Sequence, residues 1–181
     1  MKSIAIISAS VRQGRKSHRV ALYLKHLIEE KQIGIVQMLD LMEYNFPIFD
    51  ERLINQKAPL DKTLDFVSKF KLCDGIIIVT PEYNGGYPGA LKNVIDVLVE
   101  EWKHKPVGLS TVSGGQFGGV QSITSLQFNL WKIIAFVSTT PFIVANIDKT
   151  FNEKGIPIFK EETEKRALAF LDELIWCIQR I

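Results

Sequence analysis

The middle of the chain reads Gly75-Ile76-Ile77-Ile78-Val79 and continues as Thr80-Pro81-Glu82-Tyr83-Asn84-Gly85-Gly86-Tyr87-Pro88-Gly89. The first five residues form an unbroken apolar run, which is typical of a strand buried on both faces of a parallel sheet. Ligands of open parallel sheets bind outside the carboxyl ends of the strands. Because glycine lets a backbone approach a flat group and proline fixes a turn, we expect the loop after this strand to meet a planar ligand.

Four further apolar runs predict four further strands: Ser3 to Ile7, Ile33 to Leu39, Pro106 to Val112 and Pro141 to Ala145. Apolar residues at helical spacing fill the intervals between the runs and follow the last one. Strands that alternate with helices predict βαβ units with right-handed crossovers. We therefore predict an α/β fold, a doubly wound five-stranded parallel sheet in the order 2-1-3-4-5, with helices on both faces and one domain over residues 1–181.

The composition is that of a soluble globular protein, with 46% hydrophobic residues, 23% charged residues and a formal net charge of +2. The basic residues gather in one loop, whereas a nucleic-acid-binding face needs a broad basic surface. No apolar stretch approaches the roughly 20 residues that span a bilayer. Cys73 and Cys177 lack metal-ligand spacing and are expected to be buried thiols. We expect a cytoplasmic protein with no metal and no nucleic-acid or membrane partner.

The basic loop follows the first predicted strand and runs from Ser8 to His18. A phosphate binds well where hydroxyls, free backbone N–H groups and a helix N-terminus meet. Ser10 and Ser17 supply hydroxyls, Gly14 permits a tight turn, and Arg12 or Arg15 supplies charge. In the alternative reading Ser17 only caps the helix and the arginines lie on the surface. The position beside the loop after strand three favours the phosphate site.

Two common nucleotide fingerprints are missing from the chain. No Gly-x-Gly-x-x-Gly follows strand one, and no Gly-x-x-x-x-Gly-Lys-Ser/Thr occurs. The basic loop also lacks the initial cysteine of a phosphocysteine phosphatase, and strand three does not end in a phosphate-accepting aspartate. These absences disfavour a dinucleotide or ATP held in those ways, a phosphatase and a receiver domain.

The connection from Asp40 to Pro59 is long and unusually apolar. Tyr44, Phe46, Ile48 and Phe49 lie around Pro47. Such residues either pack on the core or join the surface of a partner, and the sequence leaves both possibilities open.

Four segments resemble the NADPH-dependent FMN reductase family, flavodoxin-like proteins that include azoreductases, quinone reductases and chromate reductases. Ala9-Ser10-Val11-Arg12, followed by Gly14-Arg15, is similar to the family's Gly-Ser-x-Arg segment, with Ala9 in place of glycine. Pro81 to Asn84 with Gly89 to Asn93 resembles its Pro-Glu-Tyr-Asn and Gly-Ala-Leu-Lys-Asn motif, which is the more specific match. Ser113 to Gly119 resembles its glycine-rich loop, and Phe46 to Asp50 its Leu-Pro-x-Tyr-Asp segment.

The resemblance implies a cofactor, FMN, and three groups of binding residues. The phosphate group would be held by Ser10, Arg12, Arg15, Ser17 and His18. The isoalloxazine ring would be bordered by Pro81, Glu82, Tyr83, Asn84 and Gly85. The pocket would be completed by Ser113, Gly114, Gly115 and Gln116. The resemblance also implies a homodimer or homotetramer with sites near subunit contacts.

The leading hypothesis is an FMN-dependent NAD(P)H oxidoreductase. Bound FMN would accept hydride at N5 from NADPH or NADH and pass electrons to a small acceptor, such as a quinone, an azo compound, a flavin or a metal oxyanion. The flavin carries this chemistry, so we predict no catalytic side chain. Tyr83 and Tyr87 either stack on a ring or pack on their own domain. The alternatives are a flavodoxin-like electron carrier reduced by a partner protein and a binding module without flavin.

Overall fold

The computed structural model describes residues 1–181 as a parallel sheet with helices on both faces. The strands are β1 Lys2–Ser8, β2 Gly34–Asp40, β3 Gly75–Pro81, β4 Pro106–Val112, β5 Phe136–Val137 and β6 Phe142–Val144. The helices are α1 Ser17–Glu30, α2 Leu41–Tyr44, α3 Asp61–Leu72, α4 Gly89–Val97, α5 Gln121–Lys132, α6 Ile147–Thr150 and α7 Lys160–Arg180, and a short 3-10 helix spans Leu53–Asn55.

The sheet has the predicted order, β2-β1-β3-β4-β5, and all pairs are parallel. β1 lies between β2 and β3, with Ile6 opposite Met38 on one side and Ile77 on the other. The order reverses there, so the loops after β1 and β3 lie on either side of the switch point where open α/β sheets bind ligands. The predicted fold class is confirmed.

The edge beyond β4 differs from the prediction of a single fifth strand. Two short strands, β5 and β6, both pair with β4. Between them lies Pro141, which has no N–H to donate to a ladder and which the sequence pattern had included in the strand. The predicted strand from Pro141 to Ala145 is therefore shortened to β6, and β5 was not predicted.

Alternate residues of β3 point into two apolar cores, one on each face of the sheet. Ile76 and Ile78 belong to a cluster of 22 buried residues, and Ile77 and Val79 belong to a cluster of 20 on the other face. This double burial explains why β3 is a continuous apolar run rather than an alternating one. α7 closes the second core, and no helix of the structure is both long enough and apolar enough to cross a membrane.

The long connection after β2 is divided between the core and the surface. Its first turn is α2, where the Asp40 carboxylate accepts a hydrogen bond of 3.0 Å from the backbone N–H of Met42. The rings of Tyr44 and Phe46 then pack edge-on against the buried ring of Phe66. Ile48, in contrast, is 91% exposed. Packing on the core is therefore observed for Tyr44 and Phe46, and contact with a partner stays a prediction for the exposed part of the segment.

Candidate cofactor site

Three loops meet at the carboxyl ends of β1, β3 and β4 and enclose a cleft of about 310 Å³. The cleft lies at the switch point of the sheet, and its volume falls at the small end of the range for ligand pockets. Its lining residues are Ser10, Arg12, Gly14, Arg15, Lys16 and Ser17 from the first loop, Pro81, Glu82 and Tyr83 from the second, Val112, Ser113 and Gly114 from the third, and Ile147. All three predicted loops thus contribute to one site.

The first loop presents polar hydrogen atoms that have no acceptor within the chain. Ser17 is the first residue of α1 and not its cap, because the capping position is Lys16, which makes no side-chain cap. The Ser17 hydroxyl is buried and has no hydrogen-bond partner. The backbone N–H groups of Lys16, Ser17 and His18 also lack partners. A buried hydroxyl left unpaired costs about 1–3 kcal/mol, so this arrangement fits a bound anion.

Arg12 is the one cation of this loop without a carboxylate partner. Lys16 and Arg19 both form ion pairs with Asp148, and Arg15 pairs with Asp40. The Arg12 side chain is exposed, and its guanidinium carbon lies 5.7 Å from the centre of the Tyr83 ring. Its charge is therefore available to an anion in the cleft.

The second loop folds back on itself in a two-residue turn. Tyr83 and Gly86 exchange two backbone hydrogen bonds of 2.7 and 3.1 Å, and both residues between them have positive φ, 53° at Asn84 and 80° at Gly85. Asn-Gly is the preferred sequence for such a turn. The N–H groups of Asn84 and Gly85 donate to no group of the chain. They can accordingly donate to a polar edge of a ligand.

The third loop is held by the chain that follows β6. Ser113 donates its backbone N–H to Val144 at 3.0 Å, and Gly115 accepts from the N–H of Asn146 at 3.0 Å. Ser113 and Gly114 line the cleft, whereas Gly115 and Gln116 do not reach it. The assignment of the last two residues to a cofactor stays a prediction.

The comparison of sequences shows which protein family the chain belongs to. The family model of NADPH-dependent FMN reductase matches residues 1–148. The chain belongs to this family. It is 36% identical to an NAD(P)H-dependent FMN reductase of Saccharomyces cerevisiae, over 68% of this chain and 71% of the relative. It is 31% identical to an NAD(P)H-dependent FMN reductase of Nectria sp, over 96% of both chains.

The fold comparison finds the same architecture in a solved structure. A flavoenzyme NAD(P)H:(acceptor) oxidoreductase from Paracoccus denitrificans superposes with a TM-score of 0.78 at 23% identity, over 97% of this chain and 98% of the other. The predicted membership of the family and the prediction of an oxidoreductase are confirmed, and FMN with a nicotinamide donor is the cofactor pair expected of a family member.

Two residues assigned to the phosphate from the family's pattern already have partners inside the protein. The Arg15 guanidinium forms two hydrogen bonds to the Asp40 carboxylate and donates to the backbone oxygen of Ser10 at 2.9 Å. His18 Nδ1 lies 3.0 Å from Ser8 Oγ and does not line the cleft. Burial lowers the pKa of His18, and the charge of Arg15 lowers it further, whereas Asp40 and Glu43 raise it, so the net shift favours the neutral imidazole. Their contact with a phosphate stays a prediction.

Asp40 is a residue that the sequence analysis missed. Its side chain is only 3% exposed, and it forms an ion pair with Arg15, which lies in the loop after β1. The signal was present in the sequence, because Asp40 ends the second apolar run and the predicted strand order places that run beside strand one. A carboxylate at this position is the obvious partner for a basic loop after strand one.

The side chains of Glu82 and Tyr87, in the second loop, both contact other parts of the protein. The Glu82 carboxylate accepts a hydrogen bond of 3.1 Å from the N–H of Gln121, at the start of α5. Tyr87 packs against the first core, and burial, with Asp96 contributing, raises the pKa of its phenol to about 12. Packing on its own domain is thus the observed role of Tyr87.

A larger recess of about 450 Å³ lies beneath the long connection and not at the strand ends. Its lining combines apolar residues such as Phe46 and Val97 with the carboxylates of Asp50 and Glu51. The one basic side chain of the recess, Lys57, is outnumbered by the two carboxylates, which disfavours a phosphate, and no glycine or serine lines the recess. The smaller cleft at the switch point is therefore the better cofactor site.

Proposed function

We propose that this protein is an FMN-dependent NAD(P)H oxidoreductase that binds FMN in the switch-point cleft and reduces a small acceptor, such as a quinone, an azo compound, a flavin or a metal oxyanion. The single observation that carries the proposal is the buried, unpartnered Ser17 hydroxyl beside the free N–H groups of the α1 N-terminus. These donors suit an anion, and a phosphate group would satisfy them.

The chain's own residues would bind and orient the cofactor. Ser10, Arg12 and Ser17 would hold the phosphate, and the free N–H groups of Asn84 and Gly85 would donate to the edge of the ring. Bound FMN would supply the two-electron chemistry, the transfer of hydride from the nicotinamide to N5 and of electrons to an acceptor. Donors fixed in advance at the ring edge stabilise negative charge without reorganisation. The proposal therefore requires no side-chain acid, base or nucleophile.

Anaerobic reduction tests the proposed function. The protein is loaded with FMN, mixed with NADPH or NADH without air, and followed by the flavin absorbance near its long-wavelength maximum. We expect bleaching by at least one nicotinamide and recovery of the colour on addition of a quinone or an azo dye. Bound FMN that neither nicotinamide bleaches would point to an electron carrier reduced by a partner protein. Protein that takes up no FMN would be a binding module of another kind.

Replacing Arg12 by alanine is expected to weaken FMN binding roughly 10- to 150-fold. A hydrogen bond to a charged group contributes about 1.5–3 kcal/mol, and each 1.4 kcal/mol changes a dissociation constant tenfold. Arg12 has no carboxylate partner, and its guanidinium lies over the Tyr83 ring, so its loss removes the ligand contact without leaving a buried charge unpaired. The dissociation constant is measured by quenching of FMN fluorescence.

The matched control for Arg12 is Arg180→Ala, which removes an exposed guanidinium of the last helix that lies 4.4 Å from the ring centre of Trp176. FMN affinity should be unchanged in that variant. Equal affinities of Arg12→Ala and the unmodified protein would mean that the phosphate lies elsewhere.

A further inference from the structure

We propose that Tyr83 strengthens the preference of this protein for FMN over riboflavin, because its phenol orients the Ser10 hydroxyl as a donor to the phosphate. Tyr83 would act as a positioning residue, through Ser10, and not by contact with the reacting atoms. The inference rests on the proposed function. It adds a role for a side chain of the second loop in binding the phosphate that the first loop holds.

One hydrogen bond joins the two loops across the cleft. Tyr83 Oη lies 2.8 Å from Ser10 Oγ, although the residues are 73 positions apart in the chain. The Ser10 side chain is only 1% exposed, so water has little access to this hydroxyl. Both residues line the cleft. The bond therefore lies at the junction of the two half-sites.

The chemistry of the two hydroxyls indicates which one donates. A phenol, with a pKa near 10, is a better donor than an aliphatic alcohol. Ser10 Oγ also accepts a long hydrogen bond of 3.4 Å from the backbone N–H of Arg12, so it already acts as an acceptor. If Tyr83 donates, the serine's single proton is left free for an acceptor in the cleft. Two incoming bonds also polarise the serine O–H and strengthen its next bond.

The position of Arg12 supports this direction. Its guanidinium lies over the Tyr83 ring, 5.7 Å from the ring centre, within the usual range of a cation–π contact. A positive charge over the ring draws electron density from the phenol oxygen and favours donation by its O–H. Arg12, Tyr83 and Ser10 thus form a connected set that directs positive potential and one free proton to the same part of the cleft.

If Tyr83 donates its hydrogen bond to Ser10, loss of the phenol should weaken the binding of some flavins and not of others. Phenylalanine at position 83 keeps the ring and its contacts but removes the donor, so the Ser10 proton can turn away from the cleft. The substitution should therefore change the affinity only for a ligand that carries a phosphate. Riboflavin has the same isoalloxazine ring and no phosphate, which makes it the matched probe.

The experiment is a double-mutant cycle with two flavins. Flavin-free unmodified protein and the variants Tyr83→Phe, Ser10→Ala and Tyr83→Phe/Ser10→Ala are titrated with FMN and with riboflavin, and binding is followed by flavin fluorescence. We expect Tyr83→Phe to raise the FMN dissociation constant roughly 3- to 10-fold, the range of one net hydrogen bond. The riboflavin constant should change less than about twofold. In the Ser10→Ala background the Tyr83 substitution should also change FMN binding less than about twofold.

Tyr87→Phe serves as the control, because this phenol belongs to the same loop, packs on the core and does not line the cleft. Three results would overturn the inference: equal weakening of FMN and riboflavin, which indicates a ring contact; an effect that persists in full without the Ser10 hydroxyl; or tighter FMN binding, which indicates that Tyr83 obstructs the cleft. Unmodified protein that binds neither flavin would instead refute the proposed function, and this inference with it.

Discussion

Replacing Asp40 by alanine should lower the free energy of unfolding by about 3–5 kcal/mol, the usual cost of removing one partner from a buried ion pair. The Asp40 side chain is 3% exposed and that of Arg15 is 13% exposed, so the guanidinium would be left poorly solvated without its partner. The substitution also removes the cap that Asp40 provides to α2. Urea unfolding followed by circular dichroism measures the change.

Two further variants make the Asp40 test specific. Asp148→Ala removes the acidic partner of Lys16, in the same loop, and of Arg19, in α1, but its side chain is 54% exposed, so a loss below about 1 kcal/mol is expected. Asp40→Leu combined with Arg15→Met replaces both buried charges by apolar groups and should recover most of the lost stability, apart from about 1 kcal/mol for the missing cap. A double variant as unstable as Asp40→Ala would show that the ion pair is not the cause.

Replacing Gly118 by alanine should cost about 2–5 kcal/mol of unfolding free energy. Gly118 has φ of +65°, a conformation that costs an L-residue about 1–2 kcal/mol. An added Cβ would also stand 2.3 Å from Cγ2 of Ile143 and 3.3 Å from the backbone nitrogen of Ala145. Neither neighbour can swing away, because one is a branched methyl group and the other is backbone, and overpacking adds about 1–3 kcal/mol. The same urea titration gives the value.

Gly114, in the same glycine-rich loop, supplies the control for Gly118. A Cβ at Gly114 meets no heavy atom within 4 Å, and its φ is not positive. Gly114→Ala should therefore change stability by less than about 1 kcal/mol. Similar losses at both positions would mean that the loop is sensitive to any loss of glycine and not to the close approach of β6.

Most of the fold could be predicted from apolar patterns alone. The Ile and Val run of β3 is continuous because both faces of the strand are covered. Such an unbroken apolar run can be recognised in the sequence without a structure. The edge of the sheet was less predictable. Phe136–Val137 is a strand of only two residues whose place depends on hydrogen bonds to β4, and a segment so short has no periodicity to detect.

The candidate site was predictable in position and less so in detail. Strand order alone brings the loops after β1, β3 and β4 to one edge, and the motifs of these loops resemble those of the family. Which members of each loop reach the cleft depends on local contacts. Gly115 and Gln116 follow Ser113 and Gly114 directly, yet they do not line the cleft, and Gly115 instead accepts a hydrogen bond from Asn146.

By itself, the sequence determined the sheet, the loops that meet at its switch point and the presence of cations, serines and glycines there, because these follow from local pattern and chain order. Only the tertiary structure decided how those groups are used. Arg12 and Arg15 cannot be told apart by their place in the sequence, because both lie in one basic loop. Asp40, from the neighbouring strand, neutralises Arg15 and leaves Arg12 without a carboxylate partner. A charge acts on a ligand according to which opposite charges lie within a few ångströms of it, and that is a property of the folded chain.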